Sequence, residues 1–143
     1  MEEKNMNYQL ERVDSESDEY GFVRNQLIAY NLKNVDASYD FINFIVKNES
    51  QEIIGGLLSR RFGEGIFIEM LWVDEGSRKL GLGSRLLQEI EQAGRQQDVK
   101  LIYLDTFSFQ APDFYKKHGF EVFGTLEDFP VQGCTKYFLK KTL

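Results

Sequence analysis

The chain has 143 residues, 42% of them hydrophobic and 14% aromatic, and a formal net charge of −6 at neutral pH. Such a composition excludes intrinsic disorder and describes one domain, residues 1–143, able to bury a single core. The negative balance disfavours nucleic acid and anionic membrane surfaces as partners, and one cysteine (Cys134) with one histidine (His118) excludes an internal disulfide and a zinc cluster.

The opening MEEKNMNYQL lacks the basic start and apolar run of a secretory leader, and no stretch approaches the roughly 18 apolar residues of a spanning helix. With the lone cysteine, this makes a reducing cytoplasm the expected location. Residues 8–13 read as a short strand. The acids of 14–19 suit a helix start, since carboxylates favour a helix N-terminus, and a helix is expected over 16–31. Residues 41–46 and 53–61 are β-branched and aromatic runs around a polar turn, the pattern of a hairpin, and 66–73 is a third strand. Then the period changes. Leu82, Leu86, Leu87, Ile90 and Ala93 recur at helical spacing, which predicts a helix over 78–97 with one apolar face. Residues 101–107 return to strand. A short helix over 112–117 starts at Pro112 and stops at Gly119, a residue suited to a left-handed cap. Strands at 122–124 and 136–139 close the chain. The order gives a mixed α/β fold with a largely antiparallel sheet.

The stretch SRKLGLGSRLL, residues 77–87, carries three cations and no acid. It runs from the end of a strand into a helix, whose free N–H groups and positive dipole end accept a phosphate. Glycine costs about 0.8–1 kcal/mol against alanine within a helix, so Gly81 and Gly83 ask for a reason; removing side chains that would block an anion is one, and packing is another. A pyrophosphate is the expected ligand. The Walker pattern is absent, and the dinucleotide fingerprint lacks its third glycine, where Leu86 stands.

Arg78-Lys79-Leu80-Gly81-Leu82-Gly83 resembles the R-x-x-G-x-G/A acetyl-coenzyme A loop of the GNAT superfamily of N-acetyltransferases, and it follows a strand end, Leu71-Trp72-Val73-Asp74, similar to that family's lead-in. Ala111 to Phe120 resembles the second hallmark, A-x-x-x-Y-x-k-x-G-F, some thirty residues on. The likeness is close over residues 50–143 and rests on element order before that. It implies a mixed, mostly antiparallel sheet of six to seven strands flanked by helices, with two central strands splayed apart. It also implies acetyl-coenzyme A as acyl donor, with no metal. Backbone around Arg78, Lys79, Leu80, Gly81, Leu82, Gly83 and Ser84 would cradle the pyrophosphate, and the main chain at Leu71, Trp72 and Val73 would meet the pantetheine arm. Ser108 stands where the family often has an asparagine that steadies that arm; Ser108 or Gln110 is expected to substitute.

The chemistry can be stated separately. A primary amine of pKa about 10.4 is neutral in about one molecule in 2,500 at pH 7, a barrier of nearly 5 kcal/mol to attack on a thioester. Glu69 is the first candidate to take its proton, because on a regular strand it shares a side with Leu71 and Val73; the other reading has it facing water or paired with a cation. Asp105 is the second candidate, with a structural hydrogen bond as its alternative. His118, beside Gly119, suits a helix cap. Tyr115 matches the family tyrosine and would donate to the departing thiolate; otherwise it is a core aromatic with its hydroxyl tied to backbone. Trp72, Phe107 and Phe109 read as core. The acids at 14–19 and at Glu127 and Asp128 either flank an acceptor cleft or form a solvated face. The expected acceptor is a primary amine of a small molecule or peptide, and a homodimer is kept open. Noncatalytic acyl-coenzyme A-binding and scaffold modules are the alternative classes.

Overall fold

The computed structural model describes residues 7–143; Met1 to Met6, the start of the segment read above for a leader, lie outside it. The chain divides into two units, Met1–Asp36 and Ala37–Leu143.

In the first unit, residues 7–14 belong to no strand, which corrects the strand expected at 8–13. Alternating side chains suffice for a strand only when the backbone finds a ladder partner, and this segment pairs with none. Helix α1 runs Asp18–Asn34, starting later and ending later than its acids and apolar residues suggested. Ser17 sets the start: its hydroxyl accepts from the Tyr20 N–H at 3.2 Å, while the Asp14 carboxylate takes the Glu16 N–H at 2.8 Å and holds the preceding residues in a turn.

The second unit is a six-stranded sheet with two helices. Strands β1 (Tyr39–Lys47), β2 (Ile53–Phe62) and β3 (Gly65–Val73) form an antiparallel meander. A 3-10 turn, Glu75–Leu80, leads to helix α2 (Leu82–Gln96), strand β4 (Leu101–Phe107), helix α3 (Pro112–Lys117) and strands β5 (Glu121–Glu127) and β6 (Thr135–Thr142). The sheet order is β1-β2-β3-β4-β6-β5, antiparallel everywhere except between β3 and β4.

One face of this sheet holds the core. Leu86, Leu87 and Ile90 of α2 pack with Leu57, Ile66, Ile68, Ile102, Leu104 and Leu139, all nearly inaccessible. Each such side chain contributes about 1.5–3 kcal/mol relative to exposure. Tyr115 and Phe120 extend the cluster from α3 and the turn after it.

Two local departures from regularity shape the site. Between β2 and β3 the register jumps from Leu58 opposite Met70 to Ser59 opposite Ile68, so Glu69 is the extra residue of a bulge. The jump reverses the alternation: Ile66 and Ile68 face the core before it, Leu71 and Val73 after it. Between β3 and β4 the pairing covers only Gly65 to Ile68 against Leu101 to Leu104. Beyond Ile68 and Leu104 the strands part, which is the expected splay.

Candidate active site

The helix that begins beside the fork starts later than its apolar spacing implied. Asp74 caps the 3-10 turn through the Gly76 N–H at 3.2 Å, and Gly81, at φ 73°, then breaks the path before α2 opens at Leu82. Arg78, Lys79 and Leu80 therefore lie on the turn and not on α2, and the Arg78 Nε donates to the Val73 carbonyl at 3.3 Å, tying the turn back to the end of β3.

The start of α2 has the features an anion needs. Arg85 is the first residue whose N–H bonds back, to the Gly81 carbonyl at 3.1 Å, leaving the N–H groups of Leu82, Gly83 and Ser84 without intrahelical partners. No side chain caps this end and no acid lies in its first turn, whereas α1 has both a serine cap and two acids. A Cβ on Gly81 would meet nothing within 4 Å. These groups fit a diphosphate held by main-chain N–H groups beside the cationic turn.

The two glycines have different reasons. Gly81 supplies the left-handed turn, a conformation that costs other L-residues about 1–2 kcal/mol. Gly83 instead admits Phe114 of α3, whose Cζ would stand 3.0 Å from a Cβ there. Nothing in the sequence marked this contact between two motifs some thirty residues apart. A second link joins them: the Ser84 hydroxyl and His118 Nε2 are 2.9 Å apart, and the His118 ring lies 4.8 Å from that of Phe114. His118 is the C-cap of α3 as expected, and it also reaches the first turn of α2.

Tyr115 is 8% exposed and lies edge-on to Phe114 and Phe120. Its hydroxyl has no hydrogen-bond partner among the described residues, yet no side-chain polar atom there is both fully buried and unpaired, so the hydroxyl reaches open space. Burial, reinforced by the Asp105 charge, pushes the phenol up to about 12. It is thus a weaker acid than the unperturbed group considered from sequence and stays a hydrogen-bond donor throughout the neutral range.

The bulge changes the place of Glu69. It shares a side with Phe67 and Arg60, not with Leu71 and Val73, which pack on the core. Its carboxylate meets Arg60 Nε at 3.1 Å, and the Arg60 guanidinium lies 5.3 Å from the centre of the Phe67 ring. Leu71, Trp72 and Val73 lie beyond the last β3–β4 pair, so their backbone borders the fork as expected. Trp72, however, is 50% exposed and Phe109 64% exposed, against the core roles read for both; the bulge turns Trp72 outward, and Phe109 stacks on Phe107 with ring centres 5.2 Å apart. Ser108 closes a loop: its N–H donates to the Thr135 carbonyl at 2.8 Å and its hydroxyl accepts from the Thr135 N–H at 3.0 Å. The side-chain oxygen of Gln110 accepts from Thr106 Oγ1 at 3.1 Å and from the Phe107 N–H at 2.9 Å.

Asp105 is the first β4 residue past the fork, as Glu69 is the first on β3. Its carboxylate lies 3.6 Å from Lys136 Nζ. Of the other acids, Asp128 accepts from the Gly133 N–H at 3.0 Å, a turn-forming role.

Three features thus stand together in the second unit: a parallel strand pair that forks, an uncapped helix start following one prong, and a buried phenol on α3. Residues 7–120 match the model of the acetyltransferase (GNAT) family. A curated relative, the blasticidin-S acetyltransferase of Streptomyces morookaense, is 35% identical over 96 residues, 66% of this chain and 70% of its own. A Bacillus cereus acetyltransferase crystal structure is 37% identical, with a TM-score of 0.79 over 93% of this chain and 98% of the other. A Bacillus anthracis protein solved in complex with acetyl coenzyme A shares the fold, at 23% identity and a TM-score of 0.63 over 73% of this chain and 63% of the other. The chain belongs to the GNAT family of acetyltransferases. Among the described residues no helix is long and apolar enough to cross a membrane.

Proposed function

We propose that the protein transfers an acetyl group from acetyl coenzyme A to a primary amine of a small molecule or peptide, by direct attack within a ternary complex. The observation that carries this reading is the fork between β3 and β4, bordered at the end of β3 by the free N–H groups of Leu82, Gly83 and Ser84. The diphosphate belongs at those N–H groups with Arg78 and Lys79 nearby, and the pantetheine arm along the unpaired edge of β3 at Leu71 to Val73. Bound there, acetyl coenzyme A supplies an activated thioester carbonyl. The remaining work falls to this chain. Glu69, once its carboxylate is released from Arg60, takes the proton of the acceptor ammonium. Tyr115 donates a hydrogen bond where the sulfur's negative charge develops. Full transfer from a phenol near 12 to a thiolate of ordinary thiol basicity, about 8.5, would be uphill by about 5 kcal/mol, so donation rather than complete transfer is its role. The relative named for blasticidin S supports a small-molecule acceptor.

The test is a panel of primary amines incubated with acetyl coenzyme A, following free thiol release and product mass. At least one amine is expected to release thiol at a rate proportional to enzyme. Tight acetyl coenzyme A binding with no thiol release from any amine would overturn the reading in favour of a noncatalytic module.

A further inference from the structure

On the sheet face opposite α2, Lys136 of β6 occupies an unusual place. Its ammonium lies 5.6 Å from the centre of the Phe107 ring, 5.6 Å from Phe129 and 5.2 Å from Phe138, with the Asp105 carboxylate at 3.6 Å. Three rings and one carboxylate around one cation is how proteins recognise ammonium ligands, each ring face offering its negative quadrupole within about 6 Å. A lysine that served only to brace β4 against β6 would need one cross-strand partner, and Phe107, directly opposite it, already supplies that. The side chain keeps 21% of its surface open, and Phe129 is 43% exposed, so the cage has a mouth on solvent. Lysine's four-carbon stem lets its head leave without disturbing the strand.

The location gives the cage a use. Asp105 is both its carboxylate and the first β4 residue beyond the last β3–β4 pair; Glu69 holds the equivalent position on β3 and is likewise paired with an own-chain cation lying over an aromatic ring. Adjacent strands run about 4.8 Å apart before they diverge, so the two carboxylates flank one opening. We infer that the cage of Phe107, Phe129, Phe138 and Asp105 is a subsite for a second cationic group of the acceptor, held in the free protein by Lys136, so that the preferred acceptor carries a fixed cation besides the amine that is acetylated. This rests on the acceptor reading given above. The cation in the cage anchors the molecule while its amine lies over the fork toward Glu69, and Lys136 swings to solvent as the acceptor enters.

Choline is the probe, because its quaternary nitrogen fits the cage and carries no N–H to acetylate; its uncharged isostere dimethylbutanol is the control. Amide NMR titrations are run on the wild-type protein, Lys136→Ala and Phe129→Ala. Removing the resident cation is expected to tighten choline by about tenfold, with shifts at Asp105, Phe107 and Phe138, while Phe129→Ala weakens it about fivefold and dimethylbutanol binds no variant measurably. Equal choline affinity in all three proteins, or dimethylbutanol matching choline, would overturn the inference. If Lys136→Ala does not fold, the wild-type and Phe129→Ala pair decides by the same comparison. Because the readout is binding, an enzyme that acetylates amines but ignores choline sinks only this inference, and one that binds choline but releases no thiol sinks the acetyl-transfer reading and with it the cage's role as an acceptor subsite.

Discussion

Replacing Gly83 probes how the two helices bordering the site are coupled. A Cβ there stands 3.0 Å from Phe114 Cζ and 3.3 Å from Cε1, so even alanine requires the ring to give by a few tenths of an ångström. Alanine gains about 1 kcal/mol in helix propensity, whereas overpacking costs about 1–3 kcal/mol, so Gly83→Ala should fall between neutral and about 2 kcal/mol destabilised. Valine adds two methyl groups along the same line and forfeits part of the propensity gain; Gly83→Val should cost about 2–3 kcal/mol, or roughly 7–10 °C in Tm for a domain of this size. The displaced ring contacts Tyr115 at 5.2 Å between centres and His118 at 4.8 Å, and His118 is bonded to Ser84. Gly83→Val should therefore weaken acetyl coenzyme A binding and lower kcat together. Thermal denaturation measures the stability loss, titration calorimetry the binding and a thiol-release assay the kcat, and the decisive comparison adds Phe114→Leu, which opens the crowded space. The double variant should recover at least about half of the lost Tm, a coupling of about 1 kcal/mol or more. Strictly additive losses, with acetyl coenzyme A affinity unchanged throughout, would refute the packing argument.

Tyr115→Phe should lower kcat by about a hundredfold with little change in the KM for acetyl coenzyme A, as expected for a donor used in the transition state; unaltered kcat removes Tyr115 from the chemistry. The same phenol makes stability fall at alkaline pH. Its folded value of about 12 exceeds the ordinary 10, so its contribution is intact below pH 10 and is lost between about pH 10 and 12, a decline of about 3 kcal/mol that Tyr115→Phe should abolish in alkaline denaturant titrations. Glu69→Gln should lower kcat by about a hundredfold at neutral pH and recover as pH approaches the acceptor's own pKa; a pH profile superimposable on wild type rules Glu69 out as the proton acceptor.

Much of the scaffold was readable because several segments have one dominant cue. The β4 and α3 boundaries follow their sequence limits, set by the β-branched and apolar run of Leu101 to Phe107 and by Pro112 and the left-handed Gly119 at φ 91°. The fork was expected from the family likeness, though not its position, which the register places after Ile68 and Leu104. Other features depend on partners that a linear reading does not show. The bulge at Glu69 arises from how β2 registers against β3, and it moved the first candidate base to the other side of its strand. The start of α2 was placed too early because Arg78 and Leu80 continue the helical pattern while Gly81 ends it through backbone conformation alone. Apolar spacing did find the buried stripe of Leu86, Leu87 and Ile90, since that periodicity survives a shifted start. The lysine cage draws on Asp105 and Phe107 from β4, Lys136 and Phe138 from β6, and Phe129 from the connection between β5 and β6, so no local motif announces it.

The most direct measurement is an amide NMR titration of the full chain with acetyl coenzyme A. Saturable binding should shift Leu82, Gly83, Ser84 and Arg85 most strongly, with a second set of shifts at Leu71, Trp72 and Val73. Absence of binding, or saturation that leaves the amides at the start of α2 unmoved, would contradict the account.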